Sequence, residues 1–125
     1  MYRAKYLSPT NDVSSNKVFS HPTILKHFLN TIFRLPEEEK IVSLEYLSPR
    51  TSFKNLSYVL VNLDLFKKEK EEELESLEDQ WLYYMKYVEK FQKCPKNLTE
   101  EEIKRAYDII AQANWDQGEF DEYIK

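Results

Sequence analysis

The chain has 125 residues, 42% hydrophobic and 14% aromatic, enough for one small domain with a core. Its single Gly disfavours a many-hairpin β protein, and its net charge of -4 argues against a duplex-DNA binder with a basic face. The lone Cys94 excludes an internal disulfide, and no apolar run approaches the ~20 residues that span a bilayer, so a cytoplasmic protein with no membrane partner is expected.

In chain order, Ser8-Pro9-Thr10-Asn11 offers turn and N-cap chemistry before a short helix over about 11–20. His21-Pro22 breaks it, and Pro22 suits the first turn of a second helix. That helix carries Ile24, Leu25, Phe28, Leu29, Ile32 and Phe33 on one face. Burying each is worth about 1.5–3 kcal/mol before entropy is charged. Leu35 to Lys40 reads as a polar turn.

Two strands are expected next. Ile41–Leu47 places Val42, Leu44 and Tyr46 on one face, and Tyr58–Leu65 places Val59, Val61, Leu63 and Leu65 on one face. A pair of strands is marginal unless helices cover it. Residues 67–93 then carry Leu74, Leu77, Trp81, Tyr84, Val88 and Phe91 at helical spacing, with a solvated acidic start over Glu69–Glu75. Pro95 ends that helix, and Thr99-Glu-Glu-Glu102 reads as a capping box for a helix through Ala113. Asp116-Gln-Gly-Glu119 opens a short terminal helix to Tyr123. The fold class expected is α+β, a mostly helical single domain with a small two-stranded sheet.

The opening string Thr10-Asn11-Asp12-Val13, with Lys17 and Phe19, resembles the start of the recombination-promoting nuclease and transposase family (the Rpn family). Ser15 and Asn16 depart from the family's Phe and Lys. The tail resembles the same family in Trp81-Leu-Tyr-Tyr-Met-Lys86, Lys104-Arg-Ala-Tyr-Asp-Ile-Ile-Ala-Gln-Ala-Asn114 and Phe120–Tyr123, with Ala113 and Asn114 closing the second motif. Leu35–Val42 is similar to the segment after the second family helix. The resemblance divides the chain into 1–47 (family N-terminal helices and first strand), 48–56 (a deletion junction) and 57–125 (family C-terminal strand and helices).

The resemblance implies PD-(D/E)XK chemistry, in which two carboxylates on adjacent strands hold a divalent cation beside a Lys or Gln. The family's core motifs, L-D-V and E-x-Q on strands, are missing between the two matching ends. Asp64 followed by Glu78-Asp79-Gln80 mimics the D…E-x-Q order, but Glu78 and Gln80 flank Leu77 and Trp81 in a helical stripe, so the structural reading is the stronger. Glu38-x-Lys40 and Glu102-x-Lys104 read as chance matches. Asp12 and Lys17 read as dipole compensation and a solvated lysine. His21 and His27 have no third ligand in the sequence pattern, and Cys94 has no His neighbour.

The expected function is that of an internally deleted Rpn relative without nuclease activity, retained as an interaction or regulatory module. Self-association, or association with a full-length family member, is the expected partnership, and no cofactor is expected. The alternatives are an active Mg²⁺-dependent endonuclease with a rebuilt site at Asp64 and Glu78, and a helical protein-binding adaptor unrelated to DNA.

Overall fold

A computed structural model describes residues 4–42 and 63–125. Helix α1 is Asp12–Phe19 and begins where Asn11 supplies its cap, its side chain accepting from Val13 N at 2.8 Å. Helix α2 is Pro22–Ile32, with proline in its first turn. It closes with Arg34 at φ 55°, Arg34 N donating to Thr31 O and Leu35 N to Asn30 O, both at 3.2 Å. These two bonds form the Schellman pattern, in a position where glycine is usual. A short 3₁₀ turn follows at Glu37–Glu39.

After residue 62 the chain makes 3₁₀ turns at Leu63–Leu65 and Glu71–Glu73 before helix α3, Leu77–Phe91. Helix α4 is Glu101–Ile109, a 3₁₀ turn spans Gln112–Asn114, and helix α5 is Gln117–Tyr123.

The core forms where α2, α3 and α4 meet. Ile24, Trp81, Tyr84, Val88, Ile103 and Ile110 are all fully buried in one cluster, which Val18 of α1 joins. Trp81 and Tyr84 meet edge-on at 5.7 Å, and Tyr84 meets Tyr107 edge-on at 4.9 Å, the arrangement that aromatic quadrupoles favour. The Tyr84 hydroxyl donates to the Ala106 carbonyl at 2.8 Å, which satisfies the phenol inside the core. Helix α3 also buries Tyr83 and Tyr87 in a second cluster with Phe66. It is therefore buried on more than the single stripe read from its sequence.

The N-terminal segment is stitched to the tail. Leu7 N donates to Ile110 O and Gln112 N to Lys5 O, each at 2.9 Å, around an antiparallel bridge between Tyr6 and Ala111. Ser8 N donates to the Tyr123 hydroxyl at 2.9 Å, and Asn11 Nδ2 to Tyr123 O at 3.2 Å. Lys17 pairs with Glu119 and lies 5.2 Å from the Trp115 ring centre, so this part-exposed cation bridges α1 and α5.

Several expectations need correction. The mostly helical class holds, but no sheet is found among the described residues. Leu63–Leu65, expected as the end of the second strand, is a 3₁₀ turn, because Phe66 N bonds back to Leu63 O at 3.1 Å instead of to a neighbouring strand. Ile41 and Val42 are in no strand; Ile41 is held instead by the Asn30 amide, which accepts from its N–H at 2.8 Å and donates to its carbonyl at 3.1 Å. The rest of both expected strands, and the junction at 48–56, lie outside the described residues. Thr99 does not cap α4: the cap position is Glu100, with no side-chain cap bond. The long helix expected over 67–93 is confined to Leu77–Phe91, started by Ser76, whose hydroxyl accepts from Asp79 N at 3.1 Å. The capping box at Asp116 and Glu119 forms as the sequence suggests.

Candidate functional site

Two places gather chemistry-bearing side chains. The first is the region of the expected carboxylates. Glu78 sits in the first turn of α3, where both of its oxygens accept from Arg34: Nε to Oε2 at 2.8 Å and Nη2 to Oε1 at 3.0 Å. This fork raises the Arg34 guanidinium above its usual range, chiefly through the hydrogen bond to Glu78. Asp64 lies exposed in the 3₁₀ turn before Phe66. Gln80 is half-buried on α3, its Oε1 enclosed without a hydrogen-bond partner among the described residues. Glu78 thus offers its carboxylate to an arginine just past α2, and Mg²⁺ would compete there with a bidentate pair.

Asp79, between them, has a different task. Its carboxylate accepts from Lys68 Nζ at 2.8 Å and from Glu75 N at 3.0 Å. Burial pushes the group up, but Lys68 and the backbone N–H groups outweigh it and hold Asp79 below its ordinary value.

The second place is a pocket of about 480 Å³ between α2, the loop after it and the start of α4. His27 comes from α2, while Glu100 and Glu102 come from the N-terminus of α4. One ring nitrogen and one oxygen of each carboxylate all lie within 4.8 Å of one another. The N-terminal end of α4 favours negative charge, which suits both glutamates there. Asn30, Thr31, Arg34, Leu35, Lys40 and Leu77 also line it.

His, Glu and Glu at this spacing form a plausible donor set for a divalent cation. The chemistry of His27 opposes that use. Trp81 Nε1–H donates to His27 Nδ1 at 3.0 Å, and an indole nitrogen can only donate. The neutral imidazole therefore carries its proton on Nε2, which leaves no lone pair for a metal. The arrangement is one imidazole set between an indole N–H donor and two carboxylates.

His21 stands apart at the N-cap position of α2 and does not belong to this group. The matching pattern in the sequence consisted of two histidines six apart; the partners of His27 came from residues more than seventy positions away. Glu100 and Glu102 were read there as part of a capping box and a chance E-x-K pair, and nothing in their local pattern distinguishes them.

Asn11 caps α1, Asp12 is exposed in its first turn, and Phe19 packs 5.0 Å from Phe28 and 6.5 Å from Trp81. Ala113 is exposed, and Asn114 Nδ2 donates to Asp108 O at 2.8 Å. Cys94 is half-buried, and burial, followed by the charge of Asp108, pushes its thiol up, away from the thiolate that nucleophilic chemistry needs.

Among the described residues no helix is long and apolar enough to cross a membrane. No family model, curated protein or solved structure matches the chain.

Proposed function

We propose that this chain is an internally deleted relative of the Rpn nucleases that works as a helical interaction module and does not cut DNA. The Arg34–Glu78 fork carries this reading. The carboxylate best placed by sequence to rebuild a cation site is on a helix, with both oxygens engaged by a guanidinium. A metal nuclease needs its carboxylates free to converge on one ion.

The two resembling ends also support it. Tyr6, Ser8, Asn11 and Lys17 bond to Gln92, Tyr123 and Glu119, so the opening string and the tail form one packed unit. A framework that closes on itself in this way can persist as a folded module after a catalytic core is lost. The acidic balance of the chain favours protein partners over nucleic acid. A second copy of the chain, or a full-length family member, is the partner this reading names.

The decisive experiment is nicking of supercoiled plasmid by the purified chain with Mg²⁺ or Mn²⁺, beside sedimentation of the same sample. The expected result is intact plasmid at every metal concentration and a concentration-dependent increase in mass, alone or with a full-length relative. Cleavage that Asp64→Ala abolishes would overturn the proposal and establish a rebuilt endonuclease. A strictly monomeric chain that binds neither itself nor a full-length relative would remove the partner part of it.

A further inference from the structure

His27 lies between α3 and α4, and the two sides make opposite demands on its protonation. On the α3 side Trp81 is fully buried, and its indole N–H has the His27 Nδ1 lone pair as acceptor at 3.0 Å. That bond exists only while Nδ1 is unprotonated. On the α4 side Glu100 and Glu102 bring carboxylate oxygens within 4.8 Å of a ring nitrogen and of each other. Neither carboxylate is engaged in a hydrogen bond or an ion pair among the described residues.

We infer that His27 is a proton-operated latch. Neutral, it accepts from Trp81 and ties α2 to α3. Protonated, it loses that acceptor role and turns its charge toward Glu100 and Glu102, tying α2 to α4. The exchange leaves a buried indole N–H without its partner and gains an ion pair at the pocket mouth.

The other charges around the ring do not cancel the effect. Arg34, at the end of α2, is neutralised by Glu78 of α3 at 2.8 Å. Lys40, from the loop after α2, pairs with Glu37 at 3.0 Å. Lys26, on α2 itself, donates to the Val42 carbonyl at 3.3 Å. Among the described residues that line the pocket, the two glutamates are the charges without an ion-pair partner, and a protonated ring would be their counter-charge. Protonation thus lowers the unpaired charge of the pocket and changes which helix α2 is fastened to.

Trp115 provides an internal control. Its indole N–H donates to the Ile109 carbonyl, an acceptor that does not titrate in this range. The test is nitrogen-15 NMR of the two indole N–H groups and of the imidazole nitrogens, followed through the range where histidine titrates, roughly pH 5–8. The expected result has three parts. The Trp81 indole resonance moves with the same midpoint as His27, while that of Trp115 stays still. Neutral His27 shows its proton on Nε2. The backbone amide resonances at the start of α4 follow the same transition in the native chain and lose it in Glu100→Gln/Glu102→Gln, which lacks the carboxylates that the charged ring would pair with.

A Trp81 resonance that ignores the protonation of His27 would overturn the latch, as would α4 amide resonances that still follow it in the double variant. His27→Gln gives an independent check, since its amide oxygen can accept from Trp81 at any pH. The Trp81 resonance should then be flat, and a transition that survives in this variant also overturns the inference.

Discussion

Gln92 holds Tyr6 by both ends of its side-chain amide. Tyr6 N donates to Oε1 at 2.8 Å, and Nε2 donates to the Tyr6 carbonyl at 2.9 Å. Gln92 is also the left-handed residue, φ 55°, that ends α3. Its backbone strain and its clasp are therefore coupled. Gln92→Gly removes both, and Gln92→Ala removes only the clasp. Loss of the clasp leaves two part-buried backbone groups unsatisfied and should cost about 1–3 kcal/mol. Gln92→Gly should regain about 1 kcal/mol of that by relieving the left-handed backbone. Urea midpoints of the two variants measure the difference, and an Ala variant no less stable than the Gly variant refutes the assignment.

Arg34 is the other left-handed residue, also at φ 55°, but its side chain is 76% exposed. An ion pair this exposed contributes little, whereas the left-handed backbone costs a non-glycine residue about 1–2 kcal/mol. The backbone term wins. Arg34→Gly should therefore be neutral or slightly stabilising in thermal unfolding, and Arg34→Ala slightly destabilising. A large loss in Arg34→Gly would show that the fork to Glu78 contributes far more than exposed pairs do.

On α2, burial separates residues that the sequence treats alike. Ile24 is fully buried, while Phe33 is 39% exposed. Ile24→Ala should cost about 2–5 kcal/mol through lost burial and the cavity it leaves. Phe33→Ala should cost under about 0.5 kcal/mol in the monomer. Chemical denaturation at low protein concentration checks both, and equal losses would contradict the packing described.

Asp79 gives a pH prediction. Lys68 and backbone N–H groups hold its folded value below the ordinary one, against the upward push of burial. A depressed carboxyl stabilises the fold above its unfolded value, about 3.9, and the contribution fades as pH falls through the lower folded value. The gap in urea midpoint between the native chain and Asp79→Asn should be full at neutral pH and shrink below about pH 4. A gap that is constant to the acid limit would place the effect in packing and not in charge.

Much of the helical framework was readable locally. Pro22 after His21 set the start of α2, Asn11 and Asp116 set two caps, and the spacing Trp81, Tyr84, Val88 marked the face of α3. These signals are legible because caps and helical periodicity act within one or two turns. The same reading missed Tyr83 and Tyr87, since a helix buried on two sides carries no simple stripe.

The candidate site was not legible. His27 is one ordinary histidine on an amphipathic helix, and Glu100 and Glu102 look like helix-start acids anywhere. They become a group because α2 and α4 pack against each other, and the tautomer of His27 is decided by Trp81 from a third helix. Likewise the helical stripe around Glu78 does not show that Arg34, 44 residues earlier, engages both of its oxygens. The sequence by itself determined the start of α2, the caps at Asn11 and Asp116, the face of α3 and the acidic balance. Tertiary structure alone decided which carboxylates are engaged and which face a histidine, because those contacts join side chains far apart in the chain that only packing of the buried faces brings within hydrogen-bonding reach.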